Sequence, residues 1–224
     1  MTIPVITLDG PSGVGKGTIS ALLADKLNWH YLDSGALYRL TGLACVHKGI
    51  DLNDHENVAQ IAETLQVKFS PNGEVFLEEQ EVEALIRTES AGNNASIVAA
   101  IPSVREALFK RQRAFLQHPG LVADGRDMGT TIFPEAPLKV FLTASAEERA
   151  KRRYKQLIEK GNNVKLESLR VEIEERDKRD MNRSASPLKP AQDARIIDTS
   201  TLSIDEVFQK VMGLYNLLLL KREA

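Results

Sequence analysis

The fold of this chain is decided by the stretch Val5-Ile6-Thr7-Leu8-Asp9-Gly10-Pro11-Ser12-Gly13-Val14-Gly15-Lys16-Gly17-Thr18. An apolar run typical of a strand leads into a glycine-rich loop, and a helical pattern follows, with Ile19, Leu22, Leu23 and Leu27 on one face. Glycines let the backbone bend around an anion, and the helix N-terminus adds a positive dipole. Lys16 supplies a point charge for the outer phosphates of a nucleotide. The pattern therefore predicts a phosphate-binding loop.

The loop residues expected to hold a nucleotide are Gly10, Pro11, Ser12, Gly13, Val14, Gly15, Lys16, Gly17 and Thr18. One position departs from the usual pattern, in which a Ser or Thr directly after the lysine holds magnesium. Here Gly17 follows the lysine and Thr18 comes one residue later. The pattern therefore does not support direct ligation of magnesium by this loop.

Length and composition exclude several function classes. A chain of 224 residues can bury a sizeable core, and its net charge of −2 gives no general attraction to nucleic acid or to anionic membranes. The longest aliphatic run, Leu217 to Leu220, is too short to span a bilayer. The single cysteine, Cys45, fits a reducing compartment. We expect a cytoplasmic monomer with no nucleic-acid or membrane partner.

Five apolar runs alternate with helical patterns and predict buried parallel strands: Val5–Leu8, His30–Leu32, Leu121–Ala123, Leu138–Leu142 and Arg195–Ile197. Two helices are expected to start at capping boxes, Ser145 to Glu148 and Ser203 to Glu206. The alternation indicates an α/β protein with a doubly wound five-stranded parallel sheet. Ligands of such sheets bind at the carboxyl ends of the strands.

Two segments do not fit the alternation. The segment from about residue 35 to residue 104 contains a predicted hairpin, Val67–Ser70 and Glu74–Leu77 around a Pro71-Asn72-Gly73 turn, and is interpreted as an insertion with its own small sheet. The segment from residue 149 to residue 183 carries twelve Lys and Arg against seven Asp and Glu.

The second segment contains a helical stripe that changes from apolar to charged. Leu166, Leu169 and Ile173 share one face, which continues through Arg176, Asp180 and Arg183, with Arg179 adjacent. A solvated helix end with ion pairs, for instance to Asp177, would give the same pattern. Beside a phosphate-binding loop, however, the arginines fit better as clamps on a transferring phosphoryl group.

Polar residues also follow two of the predicted strands. Asp124-Gly125-Arg126-Asp127 follows the third strand, and Asp33 to Arg39 follows the second. A carboxylate and a guanidinium at this edge lie where a substrate is expected.

Together these motifs resemble those of the nucleoside monophosphate kinases, and among them the bacterial cytidylate kinases. The resemblance rests on the runs Asp9–Thr18, Asp33–Arg39, Val104–Phe115, Asp124–Gly129 and Glu175–Arg183. It implies one P-loop kinase domain over residues 1–224, an acceptor-binding α+β insertion over residues 36–104, and a short helical, arginine-bearing lid over residues 149–185.

The resemblance also implies residue roles. The residues expected around the acceptor phosphate are Ser34, Tyr38, Arg39, Arg126 and Arg183. Arg176 and Asp180 are expected to reach the sugar, and Ser96, Arg105 and Asp127 to face the base. Cytosine carries an amino group that can donate a hydrogen bond to the carboxylate of Asp127. Uracil has a carbonyl at the same position, which would face the carboxylate as a second acceptor. An unpaired buried polar group costs about 1–3 kcal/mol, which would favour cytosine.

The predicted reaction is in-line transfer of the γ-phosphoryl group of ATP to the phosphate of CMP or dCMP, without a strong general base. The cations expected to neutralise the transferring group are Lys16, Arg126, Arg176, Arg179 and Arg183. Mg²⁺ is expected to be held by Asp33 or Asp124, through water. A kinase for UMP, AMP or a shikimate-like acceptor is the nearest alternative, and an NTP-hydrolysing switch is a more distant one.

Overall fold

A computed structural model of the chain describes residues 3–69, 74–159, 161 and 163–223. The chain divides into two compact units, one formed by residues 1–33 and 113–224 and the other by residues 34–112. The predicted 36–104 insertion falls within the second unit.

The strands are β1 (Val5–Asp9), β2 (His30–Asp33), β3 (Val67–Phe69), β4 (Val75–Leu77), β5 (Gln80–Glu81), β6 (Leu121–Gly125), β7 (Leu138–Thr143) and β8 (Arg195–Asp198). The helices are α1 (Lys16–Leu27), α2 (Ser34–His47), α3 (His55–Glu63), α4 (Glu83–Ile86), α5 (Glu89–Val98), α6 (Pro102–Arg113), α7 (Ala146–Glu159), α8 (Leu166–Asn182) and α9 (Ile204–Glu223). A π-helical turn, Met128–Ile132, follows β6.

The first unit is built on a five-stranded sheet in the order β2-β6-β1-β7-β8, and every pairing in it is parallel. This confirms the predicted doubly wound sheet, because the chain moves to one side of β1 for β2 and β6 and to the other for β7 and β8. Each strand continues beyond its predicted apolar run. Polar end residues such as Asp33 and Asp124 are register partners within the sheet.

The expectation that all five strands are buried is wrong for the two edge strands. In β2, His30 is exposed, and in β8, Ile196 is 62% exposed while Ile197 is buried. An edge strand has a neighbour on one side only, so its side chains are covered less completely than those of β1 and β6, which are buried throughout.

The core of this unit lies between the sheet and the helices α1 and α9. It contains Ile6, Leu8, Ile19, Leu23, Val140, Leu142, Val207 and Val211. Burying an aliphatic side chain of this size contributes about 1.5–3 kcal/mol. The predicted capping box at Ser203 is complete, since Ser203 and Glu206 bond reciprocally. At Ser145 only half of the predicted box is present: Ser145 Oγ accepts from the N–H of Glu148, but the Ser145 N–H donates to Ser200 Oγ instead of to the Glu148 side chain.

Helices α7 and α8 carry the charged segment. The buried side of α8 consists of Leu169, Ile173, Asp177 and Asp180, so this side does change from apolar to charged, but with Asp177 in place of the predicted Arg176. Leu166 is exposed, however, because it is the first residue of the helix and precedes the turn that packs on Ala150. Within the described part of the chain, no helix combines the length and apolar character that a bilayer crossing requires.

The second unit contains a small antiparallel sheet in the order β3-β4-β5. The strands of the predicted hairpin, β3 and β4, are present, while its Pro71-Asn72-Gly73 turn lies outside the described residues. β5 was not predicted. It pairs with β4 through a two-residue turn, Glu78 and Glu79, whose φ angles are +49° and +68°.

Candidate active site

The phosphate-binding loop joins β1 to α1 and needs glycine at two positions in particular. A Cβ on Gly10 would lie 2.1 Å from the carbonyl oxygen of Leu142, and Gly13 has a φ of +77°. Helix α1 begins at Lys16, whose Nζ donates to the carbonyl oxygen of Pro11 at 2.8 Å. The loop and the buried lysine therefore have the strand–loop–helix context that phosphate binding requires.

Lys16 lies in a strongly charged environment. Burial, followed by the positive charge of Arg126, lowers its pKa to about 7, while Asp124 and Asp9 oppose the shift and Arg176 adds to it. The residues that interact with Lys16 come from β1, the end of β6 and α8. The structure thus brings together three of the predicted cations, Lys16, Arg126 and Arg176.

Two carboxylates lie side by side on β2 and β6. Asp33 and Asp124 are register partners, and Tyr31 donates from its hydroxyl to Asp124 Oδ2 at 2.6 Å. Burial and the neighbouring charge of Asp33 raise the pKa of Asp124 to about 6, against the lowering effects of Lys16, Tyr31 and Arg126. No cluster of three or more potential metal ligands of the His, Cys, Asp or Glu type occurs among the described residues. The two carboxylates suit a hard cation that keeps several waters.

Four residues at the ends of β6 and α8 form two ion pairs. Arg126 Nε donates to Asp180 Oδ2 at 3.0 Å, and Arg183 Nη2 lies 3.9 Å from Asp127 Oδ1. The side chains of Asp127, Asp180 and Arg183 are each less than 5% exposed. Residues predicted at the acceptor phosphate, sugar and base therefore meet here. Arg179, by contrast, is exposed on α8.

Asp9 and Arg149 are two buried charged residues that were not among the predicted site residues. The carboxylate of Asp9 accepts from the backbone N–H groups of Met128 and Gly129, each at 2.8 Å, and burial raises its pKa to about 7. Asp9 thus ties the start of the phosphate-binding loop to the segment that carries Asp127. The position of Asp9 at a strand end was a usable signal, because polar strand ends face ligands in such sheets.

Arg149 connects α7 to both the loop and α8. Its Nε donates to the carbonyl oxygen of Ala144 at 3.1 Å, and its Nη1 donates to that of Ser12 at 3.2 Å and to Asp177 Oδ1 at 3.1 Å. Asp177 is therefore paired with α7 rather than with the arginines of its own helix. No local pattern could have shown this, because Asp177 and Ser12 lie 28 and 137 residues away from Arg149 along the chain.

The remaining predicted residues belong to the unit of residues 34–112. Ser34 Oγ donates to Gln112 Oε1 at 2.7 Å, and Arg39 Nη1 donates to the carbonyl oxygen of Ile86 at 2.6 Å. The guanidinium of Arg105 lies 5.7 Å from the centroid of the Tyr38 ring. Ser96 is buried on α5. Within this unit the structure therefore places Tyr38 and Arg105 together and holds Arg39 against backbone carbonyls near the end of α4.

Comparison with known proteins identifies the family. The family model described as cytidylate kinase matches residues 6–217. The cytidylate kinase of Aeromonas hydrophila is 57% identical over 213 residues, which cover 94% of this chain and 93% of the relative. That of Stutzerimonas stutzeri is 56% identical, covering 94% of both chains, and that of Shewanella denitrificans is 55% identical, covering 93% and 94%. This chain therefore belongs to the cytidylate kinase family.

Proposed function

We propose that this chain transfers the γ-phosphoryl group of ATP to the phosphate of CMP or dCMP, giving ADP and the corresponding diphosphate. The observation that carries the proposal is the convergence of Lys16, Arg126 and Arg176 beside Asp124 at the end of the phosphate-binding loop. This arrangement supplies the positive field that phosphoryl transfer needs, in a chain of the cytidylate kinase family.

The chemistry requires positioning and charge neutralisation more than proton transfer. The backbone of the loop, from Gly10 to Thr18, cradles the β- and γ-phosphates of ATP, and Lys16 contacts the outer ones. An acceptor phosphate oxygen that is already anionic attacks the γ-phosphorus in line, so no strong base is needed. Arg126, Arg176, Arg179 and Arg183 offset the negative charge that spreads over the transferring group.

Mg²⁺ is expected with the donor nucleotide, and two residues fit it. Asp33 and Asp124 are neighbouring carboxylates at the carboxyl ends of β2 and β6, and Asp124 interacts with Lys16. Mg²⁺ is commonly bound through one or two carboxylates together with substrate phosphates and waters. When bound, it would offset phosphate charge and orient the donor. We assign its retention to these two side chains, because Gly17 brings no hydroxyl to the loop.

Cytosine recognition is assigned to Asp127 by its position in the family motif and by its buried carboxylate. The carboxylate can accept from the amino group of cytosine, whereas it would oppose the carbonyl of uracil. Ser96 and Arg105 are proposed to contact the same base, and Ser34, Tyr38, Arg39 and Asp180 the rest of the acceptor. Asp127→Ala should impair CMP use much more than ATP binding, and equal loss of both would contradict the assignment.

The experiment that tests the function measures ADP release with and without an acceptor. ADP should appear rapidly with CMP or dCMP and slowly without an acceptor, and a panel with UMP, AMP and shikimate should give lower kcat/KM values. Hydrolysis of ATP at the same rate with and without CMP would instead indicate an NTP-hydrolysing switch.

We propose that the enzyme acts as a monomer in the cytoplasm, where the single cysteine, Cys45, would remain reduced.

A further inference from the structure

The phosphate-binding loop lacks a hydroxyl at the position where such loops usually carry one. In the usual pattern, the Ser or Thr after the lysine provides an oxygen for magnesium, next to an aspartate from the sheet. Gly17 occupies that position here, in the first turn of α1. Residue 17 therefore offers no hydroxyl to the aspartate at the end of β6, so a hydroxyl beside that aspartate has to come from another residue.

The space beside Gly17 faces a tyrosine and an aspartate. A Cβ on Gly17 would lie 3.6 Å from the Tyr31 hydroxyl and 3.8 Å from Asp124 Oδ2, which are the two atoms nearest to it outside α1 in the described part of the chain. Side chains two residues apart on a strand share one face of the sheet, so Tyr31 and Asp33 point the same way, and Asp124 is the register partner of Asp33. Tyr31 therefore lies on the face of the sheet that α1 covers.

The Tyr31 hydroxyl is bonded directly to the aspartate. It donates to Asp124 Oδ2 at 2.6 Å, a short distance typical of a hydroxyl bonded to a carboxylate. Asp124 is buried, and Tyr31 is half-buried on the edge strand β2. A short bond to a buried carboxylate fixes its rotamer and the direction of its second oxygen.

We propose that Tyr31 is a positioning residue: its hydroxyl supplies from β2 the hydrogen-bond donor that residue 17 lacks, and thereby holds Asp124 for the divalent cation that accompanies the nucleotide. This rests on the proposed function, because the cation enters with ATP or ADP. Gly17 leaves this bond uncovered, and a Cβ at residue 17 would already be in van der Waals contact with the tyrosine hydroxyl.

Substitutions at Tyr31 and Gly17 should compensate each other. Tyr31→Phe removes only the donor, and the ring still packs against the core that includes Ile19. Gly17→Ser restores a hydroxyl on the other side of the same space, where a Cβ makes only ordinary van der Waals contacts. The two substitutions should therefore compensate each other, which a general packing role of Tyr31 would not produce.

The test measures cation binding directly. Mn²⁺ is titrated into protein that is saturated with ADP, and free Mn²⁺ is followed by electron paramagnetic resonance. We expect Tyr31→Phe to weaken Mn²⁺ binding about tenfold, the range expected for a lost bond to a charged acceptor. ADP affinity measured by calorimetry in EDTA should not change. Tyr215→Phe, on α9, removes a hydroxyl remote from the loop and should leave both quantities at their wild-type values.

The double variant Tyr31→Phe/Gly17→Ser should recover most of the Mn²⁺ affinity. An unchanged affinity in Tyr31→Phe would overturn the proposal, and so would failure of the double variant to recover it while ADP binding in EDTA is intact. If wild-type protein did not bind ADP at all, the proposed function would fall as well. The ADP measurement thus separates the two failures.

Discussion

The buried ion pair between Arg149 and Asp177 gives the sharpest test of how the segment from residue 149 to residue 185 is held. The two side chains are only 4% and 12% exposed, and Arg149 also bonds to the carbonyl oxygens of Ala144 and Ser12. Asp177→Asn keeps the shape of the side chain but removes its charge, so the guanidinium is left buried without its counter-ion. Breaking a buried pair in this way costs about 3–5 kcal/mol.

For a chain of this size, that loss corresponds to a fall in Tm of roughly 6–20 °C, at about 2–4 °C per kcal/mol. The assay is thermal and urea denaturation followed by circular dichroism. The matched control is Glu147→Gln on α7, the helix that carries Arg149. It breaks the ion pair between Glu147 and Lys151, whose side chains are 68% and 49% exposed. This control should leave Tm unchanged, because exposed pairs contribute little.

A double variant separates the effect of the ion pair on stability from its effect on ATP binding. Arg149→Met with Asp177→Leu replaces the pair with apolar side chains and should recover most of the lost stability, since such replacements are often neutral or stabilising. It should still raise the KM for ATP, because the bond from Arg149 to the Ser12 carbonyl is lost with the guanidinium. If Asp177→Asn lowered Tm no more than Glu147→Gln does, the ion pair between Arg149 and Asp177 would not stabilise the fold as a buried pair should.

Three further predictions concern the loop, the buried acid and the small sheet. Lys16→Met should lower kcat by orders of magnitude with little change in Tm, and an unchanged rate would remove Lys16 from the mechanism. Because burial raises the pKa of Asp9 to about 7, ionising this carboxyl costs the folded state stability as pH rises from about 4 to 7, so Asp9→Asn should gain about 2 kcal/mol relative to wild type between pH 5 and pH 7 in urea titrations. A flat difference across that range would contradict the assigned pKa. Glu79→Gly should raise stability by about 0.5–1 kcal/mol, because residue 79 has a positive φ in a two-residue turn, whereas Glu81→Gly, in β5, should not.

The sheet could be predicted because each strand is marked by a pattern within a few consecutive residues. Central parallel strands are covered on both faces, so β1 and β6 appear as short, nearly continuous apolar runs such as Val5–Leu8 and Leu121–Ala123. The glycine pattern of the loop is equally local. Grouping polar strand ends at one edge also works, because parallel strands end together, and the structure does bring Lys16, Asp124 and Arg126 within electrostatic range.

What could not be predicted depends on contacts between distant parts of the chain. Asp9 bonds to backbone groups 119 and 120 residues away, at a π-helical turn that no periodicity indicates. Arg149 lies in a run of charged residues on α7 that looks like a solvated face until α8 packs against it. Leu166 is predicted to be buried because helical spacing shows which residues share a face. It does not show how far along the helix that face is covered by α7.

The same charges that make the site suited to phosphate oppose folding around it. Asp9 and Asp124 have raised pKa values, so their ionised forms destabilise the folded protein at neutral pH. Burial and Arg126 lower the pKa of Lys16, so the charged form of the lysine also destabilises the folded protein. Carboxylates and cations lie close together, but burial outweighs their mutual attraction. A polyphosphate beside Lys16, Arg126 and Arg176 would reverse the balance for the cations, since each would gain a counter-ion in a site of low dielectric. The instability of the site without its ligand is thus the same property as its affinity for a concentrated negative charge.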